Sequence, residues 1–96
     1  MIYTVTGRFT LRASYVRSLK EKRSIVKSLV AKVRGRFNVS CSEVESMDSH
    51  TEIVIACAVV SNTMAIAQEE IKRIGDFIDG NTDAELLSEE VETTNF

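Results

Sequence analysis

Residues 17–38, RSLKEKRSIVKSLVAKVRGRFN, bring their apolar side chains together in one regular conformation only. At about 100° per residue, Leu19, Val26, Leu29, Val30, Val33 and Phe37 share one stripe of an α-helix, which can bury against a sheet. Ser18, followed three residues later by Glu21, is a capping box, in which each side chain satisfies the other's backbone N–H and fixes the first turn. Gly35 to Asn38 supply the usual left-handed terminators. The same wheel sets Arg23, Arg34, Lys27 and Lys20 within roughly 60° of one another, in a row beside the apolar stripe.

The first turn breaks a local rule. Cations near a helix N-terminus face the positive end of the dipole and cost about 0.3–1 kcal/mol each, yet Arg17, Lys20, Lys22 and Arg23 stand there against Glu21 alone. A site that breaks such a rule is a candidate for function. Arg17, Lys20, Lys22, Arg23, Lys27 and Arg34 are therefore the candidate anion-binding residues. The competing reading is a solvated face whose long stems cover apolar surface, or whose charges pair with acids elsewhere in the chain.

The charge distribution sharpens that contrast. Residues 1–36 carry ten Lys or Arg and one acid, whereas residues 37–96 carry two and thirteen, so a net charge of −2 conceals two electrically opposite halves. Such asymmetry points to a nucleic-acid or acidic partner. With 44% hydrophobic and 27% charged residues, the composition is that of an ordinary soluble chain, and 96 residues suffice for one core. No apolar run approaches the ~20 residues of a membrane span, and the first residues lack the pattern of a signal peptide, so the expected address is the cytoplasm and no membrane partner is expected.

Residues 2–13 alternate, with Tyr3, Val5, Gly7, Phe9, Leu11 and Ala13 on one side and Thr4, Thr6, Arg8, Thr10 and Arg12 on the other, the pattern of a half-buried strand. Gly7 in its middle suits a bulge or the close approach of a helix. Val39, Cys41 and Val44 mark a second, more polar edge strand whose parity shifts as at a bulge. SMDSHT, residues 46–51, is turn chemistry, and IVIACAVV, residues 53–60, is apolar on both parities, as a central strand is. Ser61, Asn62 and Thr63 offer an N-cap for a second amphipathic helix with Met64, Ala67, Ile71, Ile74 and Ile78 inward and Gly80 as its stop. Leu87 to Glu92 read as a last, acidic strand leading to a frayed tail.

The order βαββαβ is that of the α+β, ferredoxin-like sandwich: a four-stranded antiparallel sheet with two helices on one face and the first and third strands central. The expected organisation is one such domain over residues 1–94, with 95–96 as the frayed tail. Its open sheet face would carry Arg8 and Arg12, as candidate sheet-face contacts, beside an apolar third strand. An exposed face with an apolar centre usually meets something, so a homo-oligomer through it is expected.

Cys41 and Cys57, sixteen residues apart with one His nearby, match no zinc spacing, and no metal site or cofactor is expected. Both lie in apolar strand-like runs, where free Cys behaves as a small buried hydrophobe. In a hairpin turning near Ser49 they would face each other. His50 reads as a solvated turn residue.

SLKEKRSIVKSLVAKVRGRFNVSCSEVE, followed by AVVSN and later AELL, resembles the YlxP-like family of uncharacterised small bacterial proteins over nearly the whole chain. The matching positions are Ser18, Leu19, Lys20, Lys22, Arg23, Arg36, Phe37, Asn38 and Val39. The resemblance implies a ferredoxin-like fold and no established activity. Members sit in genomic settings similar to those of ribosome-assembly and translation factors, hence the ribosome-binding label they often carry. This chain departs from the family pattern after Asp48, where Trp-Gln is usual and His50-Thr51 stand instead.

The functional expectation is a non-enzymatic protein whose first helix contacts phosphates of RNA or a ribosomal subunit, with Lys20, Arg23, Lys27 and Arg34 positioning rather than reading sequence. The third strand has no aromatic residues to stack on bases. The alternative is a homo-oligomeric protein-interaction or regulatory module whose basic helix meets an acidic protein. An enzyme is not expected: Arg12, Arg17, Lys20 and the helix start could bind a phosphate, but no nucleophile and base are paired, the acylphosphatase signature is absent, and no small-molecule substrate is expected.

Overall fold

The computed structural model describes residues 1–96. Strand β1 (Tyr3–Arg12) leads to helix α1 (Leu19–Arg36), then the hairpin β2 (Ser40–Glu45) and β3 (Glu52–Ser61), helix α2 (Met64–Gly80) and β4 (Glu85–Asn95). The sheet runs β2-β3-β1-β4, with every neighbouring pair antiparallel. This is the ferredoxin-like α+β arrangement, with β1 and β3 central and β2 at one edge.

Alternation along β1 sends Val5, Phe9 and Leu11 into the core beneath the helices, where they join Ile53, Ile55, Cys57 and Val59 of β3. From above come Val26, Leu29, Val30 and Val33 of α1 and Ala67, Ile71, Ile74 and Ile78 of α2. Both helices thus bury their stripes against the same side of the sheet, as the 3.6 and 2.0 periodicities require.

Gly7 marks a close helix approach and not a bulge. A Cβ there would lie 2.8 Å from Ile71 Cγ2 and 3.0 Å from Phe9 Cζ, so α2 rests directly on the backbone of β1. The bulges fall at the edges instead: one in β2 between Glu43 and Glu45, as the parity shift predicts, and one in β4 opposite Thr10 and Leu11.

Three expectations about chain ends need correction. Helix α1 does not stop on a left-handed Gly or Asn: Gly35 is helical, and the cap is Phe37 in extended backbone (φ −126°), whose N–H donates to Val33 O. In the capping box, Glu21 N donates to Ser18 Oγ at 3.1 Å, but the Glu21 carboxylate reaches Arg17 N at 3.3 Å, one residue further back than expected. Nor is the tail at 95–96 frayed. Asn95 closes β4, and Phe96 exchanges two backbone hydrogen bonds with Ile2, at 2.7 and 2.8 Å, because the β1–β4 ladder continues in register.

Gly7→Ala forces either Ile71 or Phe9 to move within a packed core and should destabilise the protein by about 1–3 kcal/mol in urea denaturation. In an Ile71→Leu background, which removes the offending Cγ2 methyl, the same substitution should cost measurably less.

Candidate functional site

The six cations singled out around α1 fall into three groups once the helix is docked. Lys22 is fully buried. At about 100° per residue it lies between Leu29 and Val33, in the middle of the apolar stripe, so the packing that buries those residues also carries its stem inward. Its Nζ donates to Ser46 O at 2.8 Å and meets Glu43 Oε2 at 2.8 Å. The Glu43 side chain is itself 18% exposed, and Oε2 is buried without a well-directed hydrogen bond.

Lys22 is therefore not an anion-binding residue. An ammonium with no exposed surface cannot meet a phosphate, and removing it from Glu43 would strand a buried carboxylate. Its role is to clamp α1 to the β2–β3 hairpin. Ser46, whose carbonyl it holds, is the one non-glycine residue with positive φ, at 58°. The turn there is closed further by Ser49 N donating to Ser46 O and by the Ser46 hydroxyl on the Glu52 carboxylate.

Arg34 is exposed, and its Nη2 donates to the carbonyl of Cys41 on edge strand β2. The carbonyl is neutral, so the guanidinium keeps its full charge. Arg17, Lys20, Arg23 and Lys27 are all exposed and in no ion pair: the pairs within the chain are Arg8–Glu45, Arg8–Glu90, Lys22–Glu43 and Arg73–Glu69. Arg23, Lys27 and Arg34 border a shallow groove of about 370 Å³ between α1 and β2, with Val26, Val30 and Ser42 among its walls. One flank of α1 thus presents cations that form no ion pair within the chain, and the one acid lining the groove beside them, Glu43, is already held by Lys22.

The open sheet face behaves differently. Arg8 is bound to Glu90 at 2.7 Å and to Glu45 at 3.0 Å, bridging β4, β1 and β2. Hydrogen bonding to Glu90, then to Glu45, raises its pKa further, and the same guanidinium holds the Glu90 carboxyl below the usual glutamate range. Arg8 is therefore no free sheet-face contact. Arg12 is exposed but stands opposite Glu52 and Glu85 in the ladders. With Glu92 near Glu90, the face carries more acid than base. Along β3, Val54 is buried, Ala56 and Ala58 are half-buried and Val60 is widely exposed, and beside Arg8 the exposed Val44 and Val91 of the edge strands line a shallow depression of about 540 Å³ with Ala56.

His50 is exposed in the hairpin tip. Cys41 and Cys57, both buried and free, stand directly opposite each other in the β2–β3 ladder, as the hairpin geometry predicts. Sequence reasoning missed the structural trio Lys22, Glu43 and Ser46. The available signal was the angular position of Lys22 within the apolar stripe.

Fold and surface together define a small ferredoxin-like domain with one cationic helix flank. The chain belongs to the DUF503 family, described as proteins of unknown function, whose profile matches residues 4–91. Among curated proteins it is similar to the uncharacterized protein YlxP of Bacillus subtilis (strain 168), 37% identical over 62 residues, covering 65% of this chain and 67% of that one. Among solved structures, the de novo designed protein Foldit4 superposes with a TM-score of 0.58 at 15% identity, covering 100% of this chain and 99% of its own, a likeness of fold. SnoaB, a cofactor-independent oxygenase from Streptomyces nogalater, gives a TM-score of 0.45 at 12% identity, covering 99% of this chain and 92% of its own.

Lys22→Ala, which leaves Glu43 buried against no partner, should cost about 3 kcal/mol in chemical denaturation, whereas Arg23→Ala should stay within about 0.5 kcal/mol. The double replacement Lys22→Met with Glu43→Leu should recover most of the loss. On the open face, Glu90 should titrate by NMR below the ordinary glutamate range and return to it in Arg8→Gln. Its pKa is lower folded than unfolded, so the contribution is present above the ordinary range and is lost as pH falls through the depressed value.

Proposed function

We propose that this protein is a non-enzymatic, RNA-associated binding protein that lays the exposed flank of α1 along the phosphates of structured RNA, with ribosomal RNA the first candidate. The observation that carries this reading is the unpaired state of Arg17, Lys20, Arg23 and Lys27. The second half of the chain holds thirteen acids, yet none of them forms an ion pair with this row. A polyanion would supply the compensation that the fold withholds, and contacts of this kind position a protein without reading sequence. Against base readout, the outward residues of β3 are Val54, Ala56, Ala58 and Val60, with no aromatic side chain for stacking.

The alternative, a homo-oligomeric protein-interaction or regulatory module whose basic helix meets an acidic protein, has weaker support in its oligomeric part, which would use the open sheet face. Arg8 is already saturated by Glu45 and Glu90, and Val60 is the one widely exposed apolar residue of β3 there.

Four phosphate contacts predict that log affinity for a ribosomal RNA fragment falls against log salt with a slope of about −3. The triple variant Lys20→Ala, Arg23→Ala, Lys27→Ala should flatten that slope to about −1 while leaving the denaturation midpoint nearly unchanged. Co-sedimentation with small ribosomal subunits at low salt, reversed at high salt, is the companion result. Binding that ignores salt, or that survives the triple variant intact, overturns the proposal.

A further inference from the structure

We propose that Cys41 and Cys57 form an oxidisable dithiol, a modification site at which a hydroperoxide closes a cross-strand disulfide between β2 and β3. The inference rests on four features of the pair and does not depend on RNA binding.

The two residues are direct register partners, and both side chains are buried on the helix side of the sheet. Two observations fix the kind of pairing. Ala13 N donates to Thr51 O at 2.7 Å, and Gly7↔Cys57 lies in the same β1–β3 register six residues away, so by the two-residue alternation of antiparallel ladders the peptide groups of Cys57 face β1. Those of Cys41 agree, since its carbonyl is engaged by Arg34 of α1. Cys41↔Cys57 is thus a non-hydrogen-bonded pair, the type in which Cα atoms stand about 4.5 Å apart and side chains are closest. That spacing lies within the roughly 4.4–6.8 Å that disulfides span, so closure needs no rearrangement of the strands.

The thiols are also unequal. Cys41 lies on edge strand β2 with Arg34 engaging its carbonyl, whereas Cys57 lies on central strand β3; the neighbouring thiol and the Arg34 charge lower Cys41, and the same neighbour with burial pushes Cys57 up. Cys41 is therefore the nucleophile and Cys57 the resolving thiol. Finally, access is provided by position. Strand β2 is a six-residue edge strand interrupted by a bulge, the kind of element that opens locally before the centre of a sheet does. A hydroperoxide is small enough to use such an opening.

The chemistry balances with hydrogen peroxide as oxidant. Cys41 thiolate attacks one peroxide oxygen, the O–O bond breaks, and the departing hydroxide takes up the thiol's proton as water, leaving a sulfenic acid. Cys57 Sγ then attacks Cys41 Sγ, the S–O bond breaks, and a second water leaves with the Cys57 proton. Two thiols and one peroxide give one disulfide and two waters.

The test exposes the folded chain to hydrogen peroxide, removes the peroxide, alkylates free thiols in denaturant, and reads intact mass and peptides without reductant. The expected result is loss of both alkylatable thiols, a mass lower by two hydrogens, a Cys41–Cys57 cross-linked peptide, and full reversal by dithiothreitol. Cys57→Ser should give no intramolecular cross-link and accumulate the sulfenic acid on Cys41, trapped by dimedone; circular dichroism confirms that it is folded. The proposal is overturned if both thiols remain alkylatable after exposure that fully oxidises free cysteine, if Cys41 proceeds to sulfinic acid in the wild-type chain, or if the only disulfide joins two chains.

Discussion

The ion pair between Lys22 and Glu43, with the Lys22 hydrogen bond to Ser46 O, sets how the rest of the molecule is arranged. Buried ion pairs contribute little net stability, because desolvation of both charges offsets most of their attraction. What such a pair supplies here is position. Apolar contacts are non-directional, and a core specified only by size and hydrophobicity loses uniqueness before it loses stability. A buried ammonium with two fixed acceptors does not permit the helix to roll on the sheet, because any rotation strands a charge. Lys22 therefore fixes the rotation of α1, and that rotation decides which residues of the same helix face water.

The consequence is a division of the basic residues by depth. Lys22 lies within the stripe and is fully compensated, Arg34 beside it is held by a backbone carbonyl, and Lys20, Arg23 and Lys27 on the same flank form no ion pair within the chain. On the opposite side of the sheet the arithmetic is reversed, since Arg8 is engaged twice by glutamates of the two edge strands. The electrical opposition between the two halves of the chain is thus partly cancelled at the sheet and left standing at the helix. A field that survives folding on one flank is what the proposed polyanion would meet, and salt would screen it.

Much of this architecture was legible in the residues. Strict alternation over residues 2–13, the two-sided apolar run at 53–60 and the two helical stripes lead directly to βαββαβ and to the observed strand order. The parity shift between Cys41 and Val44 marked the β2 bulge, and the hairpin centred on Ser49 placed Cys41 opposite Cys57. The site was less legible, because charge in a sequence reads as surface by default. Lys22 and Arg8 resemble their neighbours in composition and differ only in where packing and register carry them. For Lys22 the helical wheel held the answer; for Arg8 it required knowing that Glu45 and Glu90 flank it on both sides, which follows from strand order and not from periodicity. The end of α1 misled for a related reason: Gly35 and Asn38 are permissive residues, and permissiveness does not oblige a left-handed turn when Phe37 is drawn onto the core beside Phe77.

Strand β2 is where these threads meet. As an edge strand of six residues with a bulge, it has only β3 to hold it by backbone pairing, and short interrupted edges are the part of a sheet most prone to open. Helix α1 compensates with two cationic tethers at opposite ends of the strand, Arg34 on Cys41 O and Lys22 on Glu43 and Ser46 O. The helix whose outer flank carries the free charges is thus also the element that keeps the edge closed. Any ligand that drew Arg34 away from Cys41 O would loosen one end of β2 while Lys22 held the other, and the strand would open from the end at which Cys41 lies.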